Sequence, residues 1–92
     1  AKACFEEELR GNRLNRAREC LDARRVLEGD SAAIAESRRR LAQRWIAVGN
    51  ERLGAGEMQA AQAALASARV LDPRAPELDE LAERLRAAAA AD

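Results

Sequence analysis

Apolar residues recur along this chain at intervals of three and four, the spacing that gathers side chains on one face of an α-helix. Five such stretches follow one another. Residues 2–10 form a short helix with Cys4, Phe5 and Leu9 available for burial, and the Gly11-Asn12 pair closes it. A second helix over 13–28 is marked by Leu14, Ala17, Leu21, Arg24 or Arg25, and Leu27; Gly29-Asp30-Ser31 ends it and offers caps to the next. The third, 31–54, is the longest and carries Ile34, Leu41, Trp45, Val48 and Leu53, with Gly49 interrupting its propensity. Beyond Gly54-Ala55-Gly56, a fourth helix over 57–71 runs through Met58, Ala61, Leu65, Ala68 and Leu71. It stops at Asp72-Pro73, because proline lacks the amide donor and restricts its predecessor. The fifth, 76–90, sets Leu78, Leu81 and Leu85 on one side and ends in an alanine tail that frays.

Composition narrows the class. Ninety-two residues make one small domain or a slice of a larger protein, and the apolar content is mainly Ala and Leu, with Trp45 and Phe5 the sole aromatics. Strand-favouring residues are scarce, so the expected fold is all-α, built of antiparallel helical hairpins over an alanine-rich core of modest stability. Charge is balanced overall but graded. Residues 1–52 hold 12 Lys or Arg against 9 Asp or Glu, and residues 53–92 hold 4 against 7. That gradient suits docking or steering and is too mild for a nucleic-acid domain. The sharpest basic stretch, Arg38-Arg39-Arg40, reads as a solvated face pairing with Glu36, with phosphate, anionic-lipid or protein contact as alternatives. No apolar run is long enough to cross a bilayer. A start at Ala1 without methionine reads as a trimmed or processed product.

The chain also echoes itself. At an offset of 44 residues Leu9 meets Leu53, Asn12 meets Gly56, Leu14 meets Met58, Ala17 meets Ala61 and Leu21 meets Leu65, while Arg25-Val26-Leu27 returns as Arg69-Val70-Leu71. Repeated hairpins bury their faces by stacking.

From Trp45 to Pro73 the residues fall into a known pattern: Trp45, Val48, Gly49, Ala61, Leu65, Ala68 and Pro73. In this stretch the chain resembles the tetratricopeptide repeat family, whose motif has these residue types at this spacing. Gly49 and Ala61 let two helices approach, Trp45 and Leu65 fill wider gaps, Ala68 admits the following helix and Pro73 sets the exit. Arg52 departs from the motif, which has a large residue there. An earlier repeat is degenerate, with Phe5 in the place of Gly49, Arg24 in that of Ala68 and Gly29 in that of Pro73. A repeat of this family has about 34 residues. The longer offset therefore implies about ten extra residues, most economically a lengthened third helix in which 31–42 precede the motif. The fifth helix then resembles the one that closes such arrays. The resemblance implies a short solenoid of about five helices.

It further implies a concave face lined by the first helix of each pair. On the third helix that side carries Arg39, Gln43, Ile46, Ala47, Asn50 and Leu53. Asn50 falls where peptide-binding members often place an asparagine that grips a ligand backbone. Ile46 stands where members that clamp a C-terminal carboxylate use lysine. The alternative is that Ile46 and Leu53 pack against a neighbouring helix.

Candidate chemistry is sparse. Histidine is absent, and two cysteines without it do not readily make a zinc site. Neither an activated nucleophile nor a glycine-rich phosphate loop is evident, and Glu6-Glu7-Glu8 reads as a solvated face. We therefore expect no enzyme, no cofactor and no metal. Cys4 and Cys20 each lie eight residues from Asn12, so an antiparallel hairpin sets them opposite one another, as a disulfide or as two buried thiols. A disulfide would place the chain in an oxidising compartment; the Arg/Ala/Leu bias suggests a bacterium, hence periplasm or cell envelope, with the cytoplasm as alternative. The functional expectation is a module or scaffold that binds a peptide or protein surface. Its rival is a structural spacer or self-association domain of a larger envelope protein, joining copies through the leucines of the fifth helix.

Overall fold

The computed structural model describes residues 2–91, without the Lys2 side chain. Five helices, and no strands among the described residues, run in the order α1 (Lys2–Arg10), α2 (Leu14–Glu28), α3 (Ala32–Gly54), α4 (Met58–Leu71) and α5 (Glu77–Ala90). The all-α class and each helix agree with the periodicity to within a residue at every end.

The chain divides into two compact units, one extending to Leu41 and the other beginning at Ala42. The long α3 passes from the first into the second without a break.

In the first unit, α1 and α2 form a hairpin. The turn between them is built on Asn12, whose φ of 58° is left-handed, and it is closed by the Arg13 amide donating to the Glu8 carbonyl at 2.8 Å. The core comprises Phe5 and Leu9 of α1, Leu14, Ala17 and Leu21 of α2, and Ile34 and Leu41 of α3. Ser31 caps α3: its Oγ accepts the Ile34 amide at 3.1 Å, satisfying one of the donors a helix start leaves free. The choice between Arg24 and Arg25 is decided, and one expectation for α2, Leu27, needs correction. Arg24, not Arg25, turns inward, where it is 6% exposed and pairs with Glu28. Arg25 instead reaches out to Asp30 at 2.6 Å. Leu27 is 87% exposed, at the end of a helix that the polar Asp30-Ser31 follows.

In the second unit, α4 lays an alanine-rich face, Ala61, Ala64, Leu65, Ala68 and Leu71, into a core shared with Leu78, Leu81 and Leu85 of α5. Small side chains permit the close helix approach that the composition foretold. A Cβ added at Gly49 on α3 would sit 2.7 Å from Leu81 Cδ2 and 3.5 Å from Ala64 Cβ, so three helices meet there and only glycine fits without a shift. Leu78, Leu81 and Leu85 of α5 are all buried within this unit.

The two units share a plan that goes deeper than the apolar echo. Gly56, 44 residues after Asn12, also has a left-handed φ, 78°, and the Glu57 amide donates to the Arg52 carbonyl as Arg13 does to Glu8. Those same residues carry an ion pair whose charges are exchanged: Arg13 to Glu8 at 3.0 Å, Arg52 to Glu57 at 3.2 Å. Arg52 thus braces the turn that follows α3.

Candidate functional site

Two polar pairs tie α3 to α5 within the second unit. Gln43 Nε2 donates to Glu77 Oε1 at 3.3 Å, and the Arg84 guanidinium donates to Asn50 Oδ1. Each pair spans 34 residues, so the two helices run side by side in a constant register. Gln43, Ala47 and Asn50 fall on one face of α3 at helical spacing, and Ala47 is exposed between the pairs. At 1.5 Å per residue the two ends of this seam stand about 10 Å apart. The first unit repeats one rung of it. Arg40 donates through both guanidinium nitrogens to Glu6, at 2.6 and 3.0 Å, and Glu6 and Arg40 precede Asn50 and Arg84 by 44 residues.

The residues expected to line a concave face are thus distributed unevenly. Gln43 and Ala47 are exposed, Asn50 and Leu53 are half-buried, and Ile46 is only 5% exposed, a packing position. The Asn50 carboxamide is engaged at both ends, since its Nδ2 also donates to the Ile46 carbonyl at 3.2 Å. A ligand gripping Asn50 would have to displace Arg84. Arg39 belongs to the first unit, where it pairs with Glu36. Arg40 is held by Glu6 and lies 5.7 Å above the Phe5 ring, the cation–π geometry. These two arginines of the basic stretch are therefore committed to intramolecular partners.

No family model, no curated protein and no solved structure matches the chain.

In the first unit, the hydrogen bond from Arg40 holds the Glu6 carboxyl below the usual carboxylate range and raises Arg40 above the ordinary guanidinium value. Slight desolvation opposes the shift at Glu6, and the charges of Arg40, Arg10 and Arg24 add to it. Among the described residues, no three His, Cys, Asp or Glu gather as metal ligands, and no helix is long and apolar enough to cross a membrane.

Of the motif residues, Gly49, Ala61, Leu65 and Ala68 are buried, Trp45 and Val48 half-buried, and Pro73 exposed in its turn. Trp45 Nε1 is buried without a hydrogen-bond partner. Cys4 and Cys20 are joined in a disulfide, their Cα atoms 5.8 Å apart, which resolves the choice left open by spacing. The bond lies in the wall of an open depression of about 420 Å³ lined by Cys4, Glu8, Arg16, Glu19, Cys20 and Ala23. Sequence reading missed Glu77 and Arg84, the α5 half of the seam. Each lies 34 residues after its partner, Gln43 or Asn50, and that common separation was the available signal.

Proposed function

We propose that the chain is a non-enzymatic helical-repeat module, related in plan to tetratricopeptide arrays, that binds a peptide or protein surface along the α3–α5 seam of its second unit. The observation that supports this most directly is the pair of rungs, Gln43–Glu77 and Asn50–Arg84, at the 34-residue period of that family, with exposed Ala47 between them. An extended peptide rises about 3.3 Å per residue, so three to four residues bridge the rungs. Over Ala47 its backbone exchanges hydrogen bonds with the Gln43 carboxamide, the Glu77 carboxylate and the Arg84 guanidinium, and reaches the Asn50 carboxamide only by displacing Arg84. The Cys4–Cys20 bond supports a location in an oxidising compartment such as the bacterial periplasm or cell envelope.

The test is selection from a displayed peptide library, followed by titration of the winning peptides against the wild-type chain and a Gln43→Ala/Arg84→Ala variant with an unchanged helical circular-dichroism spectrum. We expect a saturable interaction that the variant weakens at least tenfold. If no peptide is selected, or selected peptides bind the variant equally well, the seam is not a recognition surface. Mass growing with concentration in ultracentrifugation would then point to a spacer or self-association role.

A further inference from the structure

We propose that the Cys4–Cys20 bond is a thiol–disulfide exchange site through which a dithiol reductant releases α1 from the first unit. This goes beyond the seam and does not depend on it.

The bond is open to attack. Cys4 is exposed, Cys20 is half-buried, and the depression beside them admits a thiol. It also stands where the second unit needs no covalent link. The corresponding residues, 44 further on, are Val48 and Ala64; there the helices are held by packing, with Gly49 seated against Ala64 and Leu81. The first unit is packed differently at several of these positions. Phe5 replaces Gly49, Arg24 replaces Ala68 and Gly29 replaces Pro73. Its α1 is nine residues long, below the length at which an isolated helix persists in water, and buries only Phe5 and Leu9 as large apolar side chains. The Glu6–Arg40 pair, which ties α1 to α3, is solvent-exposed and a weak tie.

In the exchange, a thiolate of the reductant attacks Cys4 Sγ and forms a mixed disulfide with it. The Cys4–Cys20 bond breaks, and its electron pair leaves on Cys20 as thiolate. Arg16 lies one turn before Cys20 on the same face of α2 and lines the same depression, setting a cation near the departing charge. The second thiol of the reductant then attacks its own sulfur in the mixed disulfide and expels Cys4. Two electrons and two protons pass to the protein, and the reductant becomes a disulfide. Freed of its tether, α1 uncovers the apolar face of α2 formed by Leu14, Ala17 and Leu21.

The experiment uses the full oxidised chain without denaturant. Dithiothreitol is added, free thiols are trapped by alkylation over time, and amide hydrogen exchange is followed by peptide-resolved mass spectrometry. Complete reduction is expected, with protection in α1 falling about 100-fold, the loop-closure contribution of a bond spanning some 16 residues. Protection in α4 and α5 should not change, and reoxidation should restore α1. A Cys4→Ser/Cys20→Ser variant should show the reduced pattern in the absence of any reductant. Reduction that proceeds only in denaturant would overturn the proposal. So would α1 protection that survives in the reduced chain or the variant, or loss of protection extending to α4 and α5, which would make the bond a staple for the whole fold.

Discussion

Replacing Gly49 by alanine tests the closest helix contact of the second unit. The added Cβ lies 2.7 Å from Leu81 Cδ2, where unstrained carbons sit about 3.5–4.0 Å apart. Leu81 is fully buried, so its methyl cannot swing into solvent, and Ala64 Cβ at 3.5 Å limits retreat on the other side. Overpacking of this kind costs about 1–3 kcal/mol. Against it stands the helix propensity of alanine over glycine, about 1 kcal/mol. The net expectation is a loss of about 0–2 kcal/mol, which alone is a soft result. The comparison that sharpens it is Gly54→Ala. Nothing lies within 4 Å of a Cβ at Gly54, so there the propensity gain stands unopposed. The two variants should therefore differ by about 1–3 kcal/mol, the overpacking cost by itself. In urea denaturation, with a slope of about 1 kcal/mol per molar, that separates the midpoints by about 1 M or more. Trp45, the only tryptophan, sits on α3 in this unit and reports by fluorescence. Adding Leu81→Val to Gly49→Ala should recover part of the loss, a coupling of at least about 0.5 kcal/mol in the double-mutant cycle. Equal midpoints for Gly49→Ala and Gly54→Ala, or no coupling to Leu81, would refute the close approach.

Two further outcomes follow from the first unit. Ser31→Ala removes the cap of α3 and should cost about 1 kcal/mol, seen as faster exchange of the Ile34 amide. Glu6 has its folded carboxyl value depressed by Arg40, so its contribution is present above the usual carboxylate range and disappears as pH falls through the folded value. Both side chains are 44% exposed, which limits the pair to about 0.5 kcal/mol. Glu6→Gln should flatten the acid limb of stability against pH by that amount, and molar salt should do the same to the wild type. An unchanged acid limb in Glu6→Gln would show that the pair contributes nothing.

The helices and their ends were legible in the chain because they are set by local chemistry. Periodic leucines and alanines define each face, and Asn12, Gly56 and Pro73 end helices through backbone preferences that neighbours hardly alter. The apolar part of the duplication was legible for the same reason. Its polar part was not, since equivalent rungs are made by different residues: Glu6 with Arg40 in one unit, Asn50 with Arg84 in the other, and an Arg13–Glu8 pair whose charges are reversed in Arg52–Glu57.

Tertiary structure decided what local pattern leaves degenerate. Arg24 and Arg25 are neighbours in sequence with opposite fates, because a shift of one residue turns a helix by about 100°, from core to solvent. Likewise Leu27 is exposed while its counterpart Leu71 is 5% exposed, although the flanking tripeptides are identical. After α4 the chain continues through the buried Ala75 to Leu78, whereas after α2 the polar Asp30-Ser31 follows. The first unit is intelligible only in three dimensions: 44 residues before Gly49 and Leu81 stand Phe5 and Ser37, so the bulky and the small residue have changed helices and all four are buried. The large buried side chain comes from α1 in the first unit and from α5 in the second. A sequence read one position at a time shows Phe5 and Ser37 as departures, and only the packed structure shows that both are buried.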